Sequence, residues 1–333
     1  MENILLTHGS GGTLTHRLID SLFIKELANP VLKEKMDSAI IRIGKEKLAF
    51  TTDSYVVNPI FFPGGDIGSL AVHGTVNDLA VCGAKPLFIS LGVIIEEGLD
   101  GDLLERIVKS ISSAAKRAGV YVVTGDTKVV ERGSCDKIFI NTSGIGEIYY
   151  QGLSIRKIRP GDSIILSGTI GEHAISVLSK REGISFSTIV RSDSAPLNAL
   201  IAKALNVSKS VRFMRDPTRG GVATTLNEIV ANARFGISIE EDSLPVTGGV
   251  RGACELLGFD PLYLANEGKV IIIADKSDES KILKVLRSDP LGRKARVIGR
   301  VTKEYPGKVY LNTSSGGNRI VGMLTGEQLP RIC

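Results

Sequence analysis

The chain has 333 residues, enough for two domains with their own cores, and 43% hydrophobic but only 5% aromatic residues with no Trp, so Val, Ile, Leu and Ala must build those cores. A net charge of +5, spread over Lys and Arg that alternate with Asp and Glu, argues against a nucleic-acid partner, and the sequence shows no secretory leader and no apolar run long enough for a bilayer, which leaves a cytoplasmic chain without a membrane partner as the expectation. Cys82, Cys135, Cys254 and Cys333 lie far apart with no CxxC pair, which argues against a zinc framework and a disulfide scaffold.

The glycine loop His8-Gly9-Ser10-Gly11-Gly12 comes first, with Thr13 or Thr15 placed to cap the helix that follows. Such a loop before a helix points N–H groups at anions, although it also reads as a flexible leader, and it matches neither the P-loop nor the dinucleotide fingerprint. Residues 39–43 and 47–51 read as a β-hairpin running into Thr52-Asp53-Ser54. Asp66 to Cys82 reads as a helix whose one face can present His73, Asn77 and Asp78. Pro86–Glu96 reads as a strand buried on both sides, a helix runs from an Asp100 cap to about Ala118, and Val120–Thr124 reads as another buried strand. The pattern T-x-D-[ST]-x-V-V occurs twice, at Thr51–Val57 and at Thr124–Val130, and each time an acid emerges as a strand ends. Asp53 and Asp126 are turn caps on one reading. On the other, they join Asp78 in a carboxylate cluster around Mg²⁺, which takes a few carboxylates and completes its shell with phosphate oxygens and water.

Ile158–Asp162 is turn-rich and places a domain boundary near residue 155. Helices are expected at about 171–181 and 196–206. Asp216-Pro217-Thr218-Arg219-Gly220-Gly221 then opens a helix reaching about Ala233, either as a capped start with surface arginines or as a phosphate site. Glu267 in Asn266-Glu267-Gly268 is a loop charge or a base presented from a strand edge. A helix at 277–287 and strands near 294–302, 308–312 and 318–321 complete the unit. Glycine-rich residues then lead to a terminal Cys333, and Pro330 favours an extended end. From Ser315 an extended chain could span about 55–60 Å, so the sulfur can reach a distant pocket.

The ordered set His8–Gly12, Thr51–Ser54, Asn77-Asp78, Gly125-Asp126 and Asp216–Gly221 resembles the family of ATP-dependent enzymes that includes aminoimidazole ribonucleotide synthetase, selenophosphate synthetase and thiamine-monophosphate kinase. Gly125–Lys128, Asn266–Gly268 and the ending Pro330-Arg331-Ile332-Cys333 place the resemblance in its hydrogenase-maturation branch, the carbamoyl dehydratases. It implies a two-domain α/β (α+β) chain. Residues 1–155 would bind ATP and Mg²⁺ and form a β-barrel with a second copy. Residues 156–315 would form an α/β sandwich, and 316–333 a flexible tail. ATP would meet Gly9, Ser10, Gly11, Gly12, Asn77, Asp216, Arg219, Gly220 and Gly221, with Asp53, Asp78 and Asp126 on Mg²⁺. A carbamoyltransferase (HypF) would load Cys333, and a HypC–HypD scaffold would take the cyano group to iron.

The terminal thiol then has a use. A thiocarbamate on Cys333 must lose its oxygen to become a thiocyanate, and phosphorylation turns that oxygen into a leaving group. Glu267 is the expected base for the N–H protons, and Lys128 the expected cation against charge on the moving phosphoryl. The rival reading keeps the fold but gives it a free small molecule as substrate, in a ligase or kinase; a non-catalytic thiol carrier is the remaining one. The first leaves Cys333 unexplained and the second leaves the carboxylates unexplained.

Overall fold

Two sheets in succession account for most of the chain, with the joint between Ile148 and Ser163. The computed structural model describes all residues except 1, 2, 28, 185–187, 327, 328 and 330; Pro330, on which the extended reading of the end rests, lies outside the described residues. The first half runs α1 (Thr13–Leu18), α2 (Lys25–Leu27), β1 (Ala39–Ile43), β2 (Glu46–Tyr55), β3 (Phe61–Phe62), β4 (Gly65–Asp66), α3 (Ile67–Val81), β5 (Ala84–Glu96), α4 (Gly101–Ala118), β6 (Tyr121–Val130) and β7 (Ile138–Ile148). The second half runs β8 (Ser163–Leu166), α5 (Glu172–Glu182), α6 (Asn198–Val207), β9 (Val211–Arg215), α7 (Gly221–Val230), β10 (Gly236–Glu240), α8 (Gly248–Leu257), β11 (Ile271–Ala274), α9 (Glu279–Arg287), β12 (Arg296–Thr302), β13 (Val309–Asn312) and β14 (Asn318–Val321).

The first sheet has the order β1-β2-β7-β5-β6, antiparallel except for the parallel pair β5–β6 that α4 connects. Helix α3 begins where the Asp66 carboxylate accepts from Gly68 N at 2.8 Å and Ser69 N at 3.2 Å. Helix α4 begins on the same kind of cap at Asp100 and ends at Gly119, whose φ of +70° suits glycine. Helix α1 departs from expectation: its N-cap is Gly12, with no side-chain cap, and Thr15 Oγ1 accepts from Gly11 N instead.

Both α3 and α4 bury apolar residues against one face of this sheet. The other face is open. On it Phe50, Ile145, Phe88 and Tyr121 stand side by side across four strands, each at least 39% exposed. The expected buried strand at 120–124 is corrected here. Strand β6 is an edge, and all but the last of its residues are exposed. Its apolar residues lack a cover within the described chain, and the sheet does not close into a barrel within one chain.

The second sheet has the order β14-β13-β10-β12-β8-β11-β9 and carries helices on both faces. Ile164 and Leu166 of β8 share a core with Val222, Leu226 and Ile229 of α7. The intervening Ile165 shares one with Leu200 and Ile201 of α6 and Ile282 and Leu286 of α9. A strand apolar at every position is what burial on both faces requires. Sequence reading omits β9, β10 and α8. Strand β14, hydrogen-bonded to β13, falls where a strand is expected near 318–321, inside the segment 316–333 also read as a flexible tail, so ordered structure extends beyond residue 315. Ala174 and Ile175 of α5 and Val250 and Ala253 of α8 join the core around α3, so one apolar cluster spans both halves, and Ile332 is buried in it.

Removing the cap in Asp66→Ala leaves two N–H groups at the start of α3 without their acceptor. The expected cost is about 1–2 kcal/mol, read as a fall in melting temperature of about 2–6 °C.

Candidate functional site

Strand β2 ends at the floor of a cavity lined by Asp37, Asp53, Ser54, Tyr55, Gly74, Asp78, Asp216, Thr218, Arg219, Glu267 and Cys333, with a volume of about 170 Å³. Strand alternation sets the two faces of β2, and Ser54, near the strand's end, still reaches the cavity. Thr51, Asp53 and Tyr55 point toward α3, and Thr52 and Ser54 toward the open face. The Tyr55 hydroxyl donates to Asp53 Oδ2 at 3.3 Å, and Thr51 Oγ1 donates to Asp78 Oδ2 at 2.8 Å. Helix α3 permits this approach because residue 74 is glycine; a Cβ there would lie 2.2 Å from the Tyr55 oxygen.

The second half supplies the opposite wall. Asp216 follows β9, and Arg219 precedes Gly220 and Gly221, whose φ values of +73° and +61° turn the chain into α7. Arg219 Nη1 donates to Gly9 O at 3.3 Å, which brings the glycine loop to this turn. Gly9, Ser10, Arg219, Gly220 and Cys333 line an adjoining cavity of about 100 Å³. Gly11 and Gly12 are contact positions: Gly11 packs against Arg219, and Gly12 lies under the Leu324 carbonyl, where a Cβ would come within 2.3 Å of the oxygen.

Burial is the main cause of the site's unusual acidities. It raises Asp78 well above the carboxylate range, with Asp53, Asp216 and Asp37 adding repulsion. It raises Asp216 to about 8, with Asp37 and Asp53 adding to it. Glu267, 3% exposed, is raised well above its ordinary value by burial and then by Asp216, Asp193 and Asp53, against the pull of Arg219. Burial also pushes the Cys333 thiol up to about 12, opposed by Arg219. The docked, unmodified sulfur is therefore protonated at neutral pH.

Asp37 is the residue that sequence reading missed. It sits in a polar stretch before β1 with no motif around it, and spacing gives no signal for it. Its Oδ1 accepts from Arg215 Nε at 2.7 Å, Arg215 Nη1 donates to Glu228 Oε2 at 2.8 Å, and Glu228 Oε1 lies 2.8 Å from His16 Nε2.

The residues fit a divalent cation. Asp37 Oδ2 and Glu267 Oε1 are buried without a hydrogen-bond partner, and five carboxyl groups face only Arg215 and Arg219 among the described cations that contact them. No three acidic, His or Cys side chains among the described residues form a ready-made cage. That suits Mg²⁺, which binds through one or two carboxylates and keeps water and phosphate oxygens in its shell.

Three expected site residues lie outside this lining. Asp126 pairs through the sheet with Gly92, which pairs with Asn141, which pairs with Ser54, so it sits on the open face, opposite Asp53. There its carboxylate accepts from Lys128 Nζ at 2.7 Å, and that contact lowers its pKa. The trio Asp53, Asp78 and Asp126 is therefore not assembled within one chain, and Lys128 is likewise on the open face. Asn77 is one position from Asp78 but a 100° turn of the helix away. Its amide donates to Ala195 O and Glu267 O and accepts from Leu197 N, which makes it a brace for the Glu267 loop and not a lining residue.

That loop is also braced by Asp193, whose carboxylate takes Lys269 Nζ at 2.9 Å and the N–H groups of Glu267 and Gly268. Burial pushes Asp193 up, but Lys269, with the backbone N–H of Glu267, outweighs it and holds the acid below its ordinary value. A lowered folded pKa stabilises fully above the unfolded value and is lost as pH falls through the folded one. Asp193→Asn should therefore cost about 3–5 kcal/mol, because it strands a buried Lys269. Melting curves of the two proteins should differ fully above about pH 4 and converge below it.

Residues 35–148 match the model of the AIR synthase related protein N-terminal domain, and residues 159–312 match that of its C-terminal domain. The carbamoyl dehydratase HypE of Cupriavidus necator is 50% identical over 329 residues, covering 98% of this chain and 93% of that protein. A crystal structure of a HypE–HypF complex superposes with a TM-score of 0.87 at 47% identity, covering 92% of this chain and 99% of that one. A crystal structure of the hydrogenase maturation protein HypE with ATP superposes with a TM-score of 0.83 at 50% identity, covering 99% and 100%.

Proposed function

The chain belongs to the AIR synthase related family and, within it, to the HypE carbamoyl dehydratases of hydrogenase maturation, and from that premise we propose how its site works: the chain dehydrates a carbamoyl group carried on its own Cys333, using ATP, and so supplies a cyano ligand for hydrogenase iron. One observation carries the reading. The last residue of the chain lines the same cavity as Asp53, Asp78, Asp216, Arg219 and Glu267. A ligase or kinase acting on a free small molecule has no use for a terminal thiol placed there.

The reaction converts S–C(=O)–NH₂ to S–C≡N; the carbonyl oxygen leaves, and two N–H protons are removed. ATP supplies the phosphoryl group that departs with that oxygen as phosphate. Asp53 and Asp78, with Asp37 beside them, would hold Mg²⁺. The glycine loop, Arg219 and the start of α7 offer N–H groups and positive charge to phosphates. Glu267 is the base: it shares the cavity with the sulfur, Arg219 and a bound cation would favour its ionised form, and the burial that raises its pKa makes that form take protons strongly. Closure of the cavity by the docked tail excludes water from a product that water would attack.

A second copy of the chain covers the open face in this reading. The apolar row Phe50, Ile145, Phe88 and Tyr121 asks for such a cover. Asp126 and Lys128 share that face, so a copy packed there can carry its own pair toward its neighbour's site. Because the docked thiol is protonated, loading takes place with the tail released, on a carbamoyltransferase of the kind seen in the HypE–HypF complex. A HypC–HypD scaffold then receives the cyano group. Among the described residues no helix is long and apolar enough to cross a membrane.

Intact mass spectrometry tests this. Cys333→Ser should fold and bind ATP but gain no carbamoyl mass from the transferase; a loaded serine variant overturns the role of the thiol. Glu267→Gln should load normally and lose dehydration by about 10²–10⁴-fold, the range for a positioned base. Unchanged thiocyanate yield would remove Glu267 from that role.

A further inference from the structure

Chain ends usually fray, yet four donors hold the main-chain carbonyls of the last three residues here. Val56 N donates to Cys333 O at 3.0 Å, and Asn58 N to Arg331 O at 3.2 Å, so the end pairs with the chain just beyond β2 like a short added strand. The other two donors are side chains of α5. Arg181 Nη2 donates to Arg331 O at 2.8 Å, and His173 Nε2 lies 2.7 Å from Ile332 O.

The imidazole has one consistent arrangement. His173 is fully buried, its Nδ1 lies 2.8 Å from Ser192 Oγ, and its ring meets the edge of Phe62. A carbonyl can only accept, so Nε2 carries the proton and Nδ1 accepts from the Ser192 hydroxyl. Arg181 also donates from Nε to Asn58 O at 2.7 Å, so one guanidinium ties the added strand to its neighbour. The Arg331 side chain closes the arrangement, with Nε on Val56 O at 2.9 Å and Nη1 on Asp136 Oδ2 at 2.7 Å.

We propose that His173 and Arg181 are positioning residues that fix how deep Cys333 enters the acidic cavity, by gripping the carbonyls of Arg331 and Ile332. The proposal rests on the reading that Cys333 carries the reacting group. Neither residue lines the cavity, so neither touches the reacting atoms. Gripping carbonyls fixes register and not sequence. A slip of one residue would move the sulfur by about 3.3 Å, out of reach of a base that must act at hydrogen-bond distance. The same four contacts form whether the sulfur is bare or loaded, because none of them involves it. The grip joins both halves of the chain, since Val56 and Asn58 belong to the first and α5 to the second, so the depth of insertion follows the closure between them.

The test uses the full-length protein and a carboxypeptidase of broad specificity, with tail trimming followed by intact mass. His173→Leu and Arg181→Met should each speed trimming about fivefold or more, because loss of one hydrogen bond raises the released population by that order. His173→Gln, which keeps a donor, should restore most of the protection. In His173→Leu and Arg181→Met, trimming should rise by more than any fall in melting temperature accounts for. Wild-type trimming rates in both His173→Leu and Arg181→Met, or trimming that rises only in step with a falling melting temperature, overturn the proposal; Arg181→Met decides alone if His173→Leu does not fold. Dehydration of a loaded tail should fall with trimming protection while ATP affinity holds. Faster trimming in a protein whose wild type dehydrates nothing leaves the grip intact and removes the functional reading beneath it.

Discussion

Five carboxyl groups share one buried cavity, and the rest of the molecule is arranged around that imbalance of charge. Asp37, Asp53, Asp78, Asp216 and Glu267 cannot all ionise together at low dielectric without compensation. Arg215 supplies part of it from behind, tied to Asp37 and Glu228, and Arg219 supplies part from the front, beside Cys333. What remains is a demand for positive charge, and it explains two buried carboxyl oxygens of the cavity, on Asp37 and Glu267, that no donor among the described residues meets. The same demand draws in residues from far apart in sequence. A strand end and a helix of the first half face a turn and a loop of the second, and neither half alone makes the site.

A reactant on a tether suits such a cavity. A free thiocarbamate would need its own binding surface, whereas a chain end arrives at the high local concentration of an attached group. The cost is that the tail must both leave, to be loaded, and return to one depth. Burial raises the bare thiol's pKa, which in the proposed cycle would keep it unreactive while docked and separate loading from dehydration by position. The carbonyl contacts of the end are indifferent to the state of the sulfur, which lets one docking geometry serve before and after the reaction.

Much of this was legible in the sequence because apolar periodicity and turn chemistry fix elements locally. Asp100 and Gly119 bracket α4 as a cap and a terminator should, and the hairpin β1–β2 follows from its alternation. The acids at strand ends and the Asp216–Gly221 turn were legible for the same reason. Face and partner were not. The echo between Asp53 and Asp126 is real in sequence, but sheet register sets the two on opposite sides, and register is a property of pairing across the chain. Asn77 misled because neighbours on a helix point a quarter-turn and more apart. Asp37 carried no local signal at all; its place comes from Arg215, nearly two hundred residues later. Strand β6 read as buried because apolar composition does not distinguish a strand inside a sheet from one at its edge.

That last point bears on the open face. An apolar row four strands wide is unstable in water unless something covers it, and an acid–base pair set beside it is wasted if the cover is featureless. Asp126 and Lys128 lie three strands from the end of β2, about 14 Å across the sheet, which is too far for them to serve their own cavity through the sheet. The proposed second copy on this face would settle both difficulties at once, since it would bury the apolar row and bring its own pair to a neighbour. In that proposal the sequence echo has a physical basis: one chain would contribute the first acid to its own site and the second acid to its partner's.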